Sequence, residues 1–266
     1  MLYFPQLSSG AIGQYPTSRS LVTRTVTNIM AGGDAIRMAD TGAAMVRWHL
    51  SYTGLSDAEA QSLTQTFCGA QGRLNAFTFL DPTDNLLLWT EDWTKPEWVA
   101  DPLLTVSGGS SDPTGGTGAV QLTNTAQTMQ GIRQKLAAAG WFRYCFSVYL
   151  RADLACSAQL QASCTDAMST TTVAVGPSWA RVSMATSLSS QADEISFGLA
   201  LPGGSRMNAF GPQVEAQPAA GLYKKNTDQA GVYPNTHFAA DELSMSADGV
   251  NQGSCTFELE SRLSLA

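Results

Sequence analysis

Histidine is nearly absent from this chain: only His49 and His237 occur. His49 lies beside Arg47 on a strand face, with no Gly-x-Ser-x-Gly elbow near it, and reads as a structural or interface residue rather than the base of a hydrolase. Charge is also sparse. Charged residues make up 14% of the chain, the net charge is −7, and Lys and Arg form no cluster, which excludes a grip on nucleic-acid phosphates. No window approaches about 18 uninterrupted apolar residues, so no membrane-spanning helix is expected. The opening Met-Leu-Tyr-Phe-Pro-Gln lacks a basic region followed by an apolar run and is not expected to act as a secretory signal. The five cysteines (Cys68, Cys145, Cys156, Cys164 and Cys255) are odd in number and show no CxxC spacing, which speaks against a disulfide framework or zinc site. Reduced thiols fit assembly in a cytoplasm. There is no phosphate loop and no dinucleotide fingerprint, and no cofactor is expected. Asp112 and Asp166 sit in loops, but without the Asp-x-Asp-x-Asp spacing of a calcium loop, and no metal site is expected.

What is present is β-pattern. The 266 residues are 44% hydrophobic with 24 glycines, enough for one large or two ordinary globular domains. Residues 1–20 are rich in Gly, Ser and Pro and read as an extended arm or loop. Leu21 to Ile29 reads as a strand and Ala31 to Asp34 as a turn. From Ala44 to Tyr52 the chain alternates: Val46, Trp48, Leu50 and Tyr52 share one face, and Arg47, His49 and Ser51 the other. Ser56-Asp-Ala-Glu59 is a capping box that opens the one convincing helix, with Ala60, Leu63 and Phe67 at helical spacing and Gly69 and Gly72 as stops. A strand around Phe77 and Phe79 ends at Asp81-Pro82.

From Leu86 the pattern is all β. Phe142 to Arg151 and Ser157 to Thr165 alternate strictly, and further strands follow at Thr171–Val175, Trp179–Thr186 and Ile195–Leu201. Ser107 to Gly118 reads as a loop and Leu222 to Gly231 as an exit linker. His237 to Gly249 reads as a strand and turn, and Cys255–Leu259 as a final strand. The acidic bias falls on residues 232–266, where Arg262 stands against five Asp and Glu. The expected fold is mainly β: a β-sandwich or barrel domain with one α-helix, built from residues 1–85 and 232–266, and a jelly-roll β-sandwich over residues 86–231 inserted between them.

Two resemblances accompany this pattern. Tyr3-Phe-Pro5, the strand around Arg24, Val46-Arg-Trp-His-Leu-Ser-Tyr52, the helix after Ser56 and Phe77-Thr-Phe-Leu-Asp81 are similar to the N-terminal part of the distal tail proteins of long-tailed bacteriophages and gene-transfer particles. His237-Phe-Ala-Ala-Asp-Glu-Leu243, followed by Glu258-Leu-Glu-Ser-Arg262, resembles that family's closing segment, with His237 where an arginine usually stands. In the middle, Leu88-Trp-Thr-Glu-Asp92 and Phe210-Gly-Pro-Gln-Val-Glu215 followed by Tyr223 resemble the ends of carbohydrate-binding-module-like jelly rolls found in phage tail and fibre proteins. The first resemblance implies a non-enzymatic virion protein, assembled in the host cytoplasm. It implies a homo-oligomer, a hexameric ring joining the tail tube to the baseplate or hub. The second implies a module projecting outward, with cell-surface glycan as a possible partner. The alternative is a receptor-binding or tail-fibre protein whose main activity is carbohydrate binding.

Candidate glycan-binding residues follow from residue type. Tyr149 falls on a polar face with Arg143, Arg151, Gln159 and Gln161, where an exposed ring among long polar side chains suits a sugar. Trp93, Trp98, Trp141 and Trp179 read either as sugar platforms or, more plainly, as core and edge packing. The candidate set is Tyr149, Arg151, Gln159, Trp93 and Trp98. Glu91, Asp92 and Glu97 form an acidic group that a glycosidase pair would need, but at the opening of a domain they read as solvated or turn-bonded carboxylates.

Overall fold

The computed structural model describes residues 1–263. The chain forms two compact units. Residues 1–8, 13–79 and those from Tyr233 onward make the first, and residues 9–12 and 80–232 the second. The joins therefore fall at 79/80 and 232/233, a few residues from the 85/86 and 231/232 expected. Residues 81–86 go with the second unit because their backbone is bonded there: Asp81 N–H to Gly231 O, Gly231 N–H to Asn85 O and Leu86 N–H to Val214 O.

In chain order the first unit begins with β1 (Ser18–Ile29), β2 (Ala35–Leu55), α1 (Asp57–Ala70) and β3 (Phe77–Leu80). The second unit holds β4 (Trp98–Ala100), β5 (Leu104–Ser110), β6 (Ala119–Asn124), β7 (Gln130–Leu136), β8 (Arg143–Arg151), β9 (Cys156–Ser163), β10 (Met168–Val175), β11 (Ala180–Ser187), β12 (Ile195–Leu201) and β13 (Arg206–Glu215). The chain closes with β14 (Val232–Phe238), β15 (Met245–Gly249) and β16 (Gln252–Arg262). The protein is mainly β, with α1 the one α-helix among the described residues.

The first unit is a sheet in the order β1-β2-β16-β14-β3, with β15 paired to β16. The alternation of β2 places Val46, Trp48, Leu50 and Tyr52 in the core, all 1% exposed, and leaves Arg47 and His49 outside. Residues 1–20 are not a loose arm. Tyr3 bridges Thr78 in parallel, and Phe4 enters the centre of an aromatic core with Phe77, Phe79, Phe238 and Phe257. The helix closes this core through Phe67, whose ring meets Phe238 at 5.0 Å. Its buried residues are Leu63, Thr66 and Ala70, so the buried stripe sits nearer the C-terminus than Ala60, Leu63 and Phe67 suggested.

β16 pairs β2 only from Leu55 back to Met45. Among the described residues the rest of β2, from Ala35 to Asp40, pairs with β1 alone, giving a two-stranded ribbon. On one face of it Val26 stands opposite Met38 with Ile36 beside them, and the three are 38%, 48% and 48% exposed. The Arg24–Asp40 ion pair closes the base of that face.

The helix start carries the full capping box: Glu59 N–H donates to Ser56 Oγ, and Ser56 N–H donates back to Glu59 Oε2. Ser8 adds its N–H and hydroxyl at 2.8 and 2.7 Å, tying the N-terminal segment to the helix. Burial pushes the Glu59 carboxyl upward, but hydrogen bonds from Ser8 and Ser56 outweigh it and hold the group at about 2. A folded value below the ordinary 4.5 means the contribution is present above pH 4.5 and is lost as pH falls through about 2. Glu59→Ala is expected to destabilise the first unit by about 1 kcal/mol at neutral pH. Thermal melts should show the difference from wild type closing in strong acid; a gap that persists there would remove the carboxylate as its cause.

Candidate functional site

The second unit is a sandwich of two antiparallel five-stranded sheets, β10-β9-β12-β7-β4 and β11-β8-β13-β6-β5. Alternation along β8 sends Phe146, Val148 and Leu150 inward, where Phe146 meets Phe197 of the opposite sheet. It sends Ser147, Tyr149 and Arg151 to the outer face of the second sheet. The strand register builds rows across that face. Gln121, Asn208 and Arg151 are direct neighbours on β6, β13 and β8, and Phe210, Tyr149 and Arg181 form the next row on β13, β8 and β11.

The chain covers part of this face with its own segment 221–226. Gln213 accepts Lys224 N–H and donates to Leu222 O, while Glu215 accepts Gly221 N–H and the Lys224 ammonium. Tyr223 lies over Phe210, ring centroids 5.2 Å apart, and its hydroxyl meets Thr90 Oγ1 and Glu91 Oε1. Burial raises the Tyr223 phenol well above its ordinary value and the Glu91 charge adds to that, while the Thr90 bond opposes both. Gly211 is required beneath the ring: its φ is +59°, and a Cβ there would stand 2.8 Å from Tyr223. Asn85 and Asn226 complete the latch. Asn85 Nδ2 donates to Pro212 O and Lys224 O, its Oδ1 accepts Leu87 and Val214 N–H, and Asn226 Nδ2 donates to Asn85 O. The opening and closing sequences of the module thus hold one another, and Gln213, Glu215, Tyr223 and Thr90 serve that closure.

Of the residues read from the sequence, Tyr149 is half-buried between Phe210 and the Arg181 guanidinium, which sits 5.5 Å from its ring centre. Arg181 itself donates to Gly221 O and Ser147 Oγ. Arg151 lies over the Trp179 ring at 5.6 Å, with its Nε buried and unpartnered. Gln159 is not brought to them. The chain crosses between sheets after β8, so β9 and its Gln159 and Gln161 belong to the other sheet. Trp93 and Trp98 stack on each other at 4.7 Å and 10° within the core, 2% and 6% exposed, their indole N–H groups donating to Thr90 O and Trp89 O. They form packing rather than an open platform.

The acidic residues are engaged in local structure. Glu91 takes Tyr223 and Lys225, and Asp92 bonds Thr94. Asp112 is enclosed by the Thr114 hydroxyl and the N–H groups of Thr114, Gly116 and Gly118. The Thr114 hydroxyl leads these bonds, which together overcome desolvation and hold the carboxylate at about 2. Asp166 accepts the Ser190 hydroxyl. Among the described residues no three His, Cys, Asp or Glu side chains converge to hold a metal ion.

At the uncovered end of the outer face lies a cavity of about 450 Å³, bounded by Gln121 and Asn208 of the sheet, by Asp153 and Leu154 after β8, and by Ser205 and Arg206 at the start of β13. Asn208 is 7% exposed and its Oδ1 is buried without a hydrogen-bond partner. Sequence reasoning missed Asn208, Gln121, Asn85 and Asn226. The polar side chain within the otherwise apolar text of Met207 to Phe210 was the one available signal for Asn208.

No protein-family model matches the chain. No curated protein matches it. Solved structures do resemble part of it. The CBM22-1 xylan-binding domain of Paenibacillus barcinonensis Xyn10C aligns at 15% identity and a TM-score of 0.43, over 53% of this chain and 99% of that one. TmCBM61, solved with β-1,4-galactotriose, aligns at 12% identity and a TM-score of 0.37, over 49% of this chain and 97% of that one. The enzymatically active domain of bacteriophage CBA120 tailspike protein 4 aligns at 8% identity and a TM-score of 0.40, over 52% of this chain and 22% of that one. The neighbours include carbohydrate-binding modules, and a likeness this distant does not bear on what this chain binds.

Proposed function

We propose that the chain is a structural component of a phage-like tail tip, in which the first unit closes a ring between tail tube and baseplate or hub and the second unit presents a face to surface glycan. The mechanism is assembly rather than catalysis. The observation that carries the reading is the ribbon of β1 and β2. Its apolar face of Val26, Ile36 and Met38 is exposed, and the strand segments that bear it pair with no third strand among the described residues. A two-stranded ribbon is marginal alone in water, and an apolar face on one fits a neighbouring copy. A head-to-tail contact of this kind closes a ring by rotation.

The test is the mass of the protein in solution with electron-microscope imaging of the same sample, for wild type and for Val26→Glu combined with Met38→Glu. A six-membered ring in the wild type and monomers of unchanged circular dichroism in the variant are expected. A variant that assembles as the wild type does would overturn the ribbon's role. The second reading, a receptor-binding protein acting mainly through carbohydrate, is favoured by the unpartnered Asn208 in the outer-face cavity, and a trimer in solution would point to it.

A further inference from the structure

We propose that the cavity beside Asn208 binds the terminal residue of a neutral glycan, with the Asn208 amide as its polar anchor and Gln121 as a second hydrogen-bonding wall. This rests on the glycan-contact part of the proposed function and goes further in naming the site and the ligand class. Of the residues expected from the sequence, Trp93 and Trp98 pack against each other, Gln159 lies on the other sheet and Tyr149 is held between Phe210 and Arg181, while Arg151 is the strand neighbour of Asn208.

Three features define the ligand. First, Asn208 is a built but unfilled hydrogen-bond site. Folding normally satisfies a buried amide oxygen, because leaving it bare forfeits its hydration with nothing in return. Here Oδ1 has no partner, while Asn124 and Asn85 of the same unit spend every amide atom on backbone groups. Oδ1 is shielded from solvent as the amide stands, so a ligand hydroxyl completes it on a turn of the amide toward the cavity. Second, the charge is balanced. Arg206 and Asp153, one of each sign, both line the opening, so neither sign of charge dominates its lining. Third, much of the remaining wall is aliphatic. Leu154 is 84% exposed on the rim, with Ala152, Ala155 and Met207 behind it. A pyranose has this mixed character, with hydroxyls around its edge and C–H groups on its face. The volume falls within the roughly 300–1,000 Å³ of small-ligand clefts. Its size suits the end of a chain rather than a long stretch of polysaccharide, since the adjoining row of Phe210 and Tyr149 is covered by Tyr223 and by Arg181, which is fastened to Gly221.

The full chain is applied to an array of short neutral gluco-, xylo-, manno- and galacto-oligosaccharides, and those retained are titrated by calorimetry against wild type, Asn208→Ala, Gln121→Ala and Gln159→Ala. Weakening of about tenfold in Asn208→Ala and in Gln121→Ala, with Gln159→Ala binding as wild type, is the expected result. Circular dichroism and melting temperature serve as the folding control, and Gln121→Ala carries the test if Asn208→Ala does not fold. Wild-type affinity in the folded Asn208 and Gln121 variants would overturn this site while leaving glycan contact elsewhere on the second unit standing. Retention of none of these sugars by the wild type would overturn both.

Discussion

Asn85→Ala is expected to lower the stability of the second unit by roughly 3–5 kcal/mol. The side chain is fully buried and uses all its capacity to join three separate pieces of backbone. Its Oδ1 receives Leu87 N–H at 3.1 Å and Val214 N–H at 3.0 Å, and its Nδ2 reaches Pro212 O and Lys224 O. Alanine leaves two buried N–H groups without acceptors, each at a cost of about 1–3 kcal/mol, and unfastens two carbonyls besides. The effect exceeds that of a surface hydrogen bond because the partners stay buried when the amide goes. Tryptophan fluorescence during urea unfolding reads it directly. Five of the six tryptophans (Trp89, Trp93, Trp98, Trp141 and Trp179) lie in the second unit, so the signal reports chiefly on that unit. A shift below about 1 kcal/mol would mean that water replaces the amide and that the latch is held by Tyr223 and Gln213 instead.

Phe4→Ala is expected to cost about 3–5 kcal/mol in the first unit. Phe4 is 1% exposed and meets Phe77, Phe79, Phe238 and Phe257, with ring centroids between 5.6 and 6.4 Å. Those four rings come from β3, β14 and β16, so the residue joins the early and late parts of the chain. Its removal opens a cavity that rigid rings cannot collapse to fill. Calorimetric melting should show the first unit unfolding at lower temperature with the second unchanged. Equal displacement of both transitions would show that the two units do not unfold independently.

The sequence was legible where one strand's own period decides its structure. The alternation of β2 around Trp48, of β8 around Phe146 and of β9 around Leu160 gives strand and facing directly, and the Ser56–Glu59 box gives the helix start. Legibility failed where the outcome depends on a distant partner. Phe4 lies in Gly-, Ser- and Pro-rich text with no period of its own, and only the rings it meets make it core. The Gly-rich run of β5 reads as loop, yet residues 104–110 pair with β6 because that strand offers an edge. β8 and β9 share one polar pattern but enter different sheets, and a strand's period records which side chains face out without saying from which sheet. For that reason Tyr149 and Gln159 were expected together and are found apart. Asn85 and Asn226 stand in aperiodic segments, where nothing local distinguishes a latch from a turn.

The meeting of segment 81–85 with Gly231 has a topological consequence. Asp81 N–H to Gly231 O and Gly231 N–H to Asn85 O, both 2.8 Å, fasten the entry and exit of a stretch of about 150 residues side by side. Closing a long flexible loop costs entropy that rises with its length, but here the closure is made by the module's own fold. Whatever is encoded between those two points is, for the strands outside it, the equivalent of a tight turn. Such a position tolerates exchange of one cassette for another without touching the residues that build the rest of the molecule.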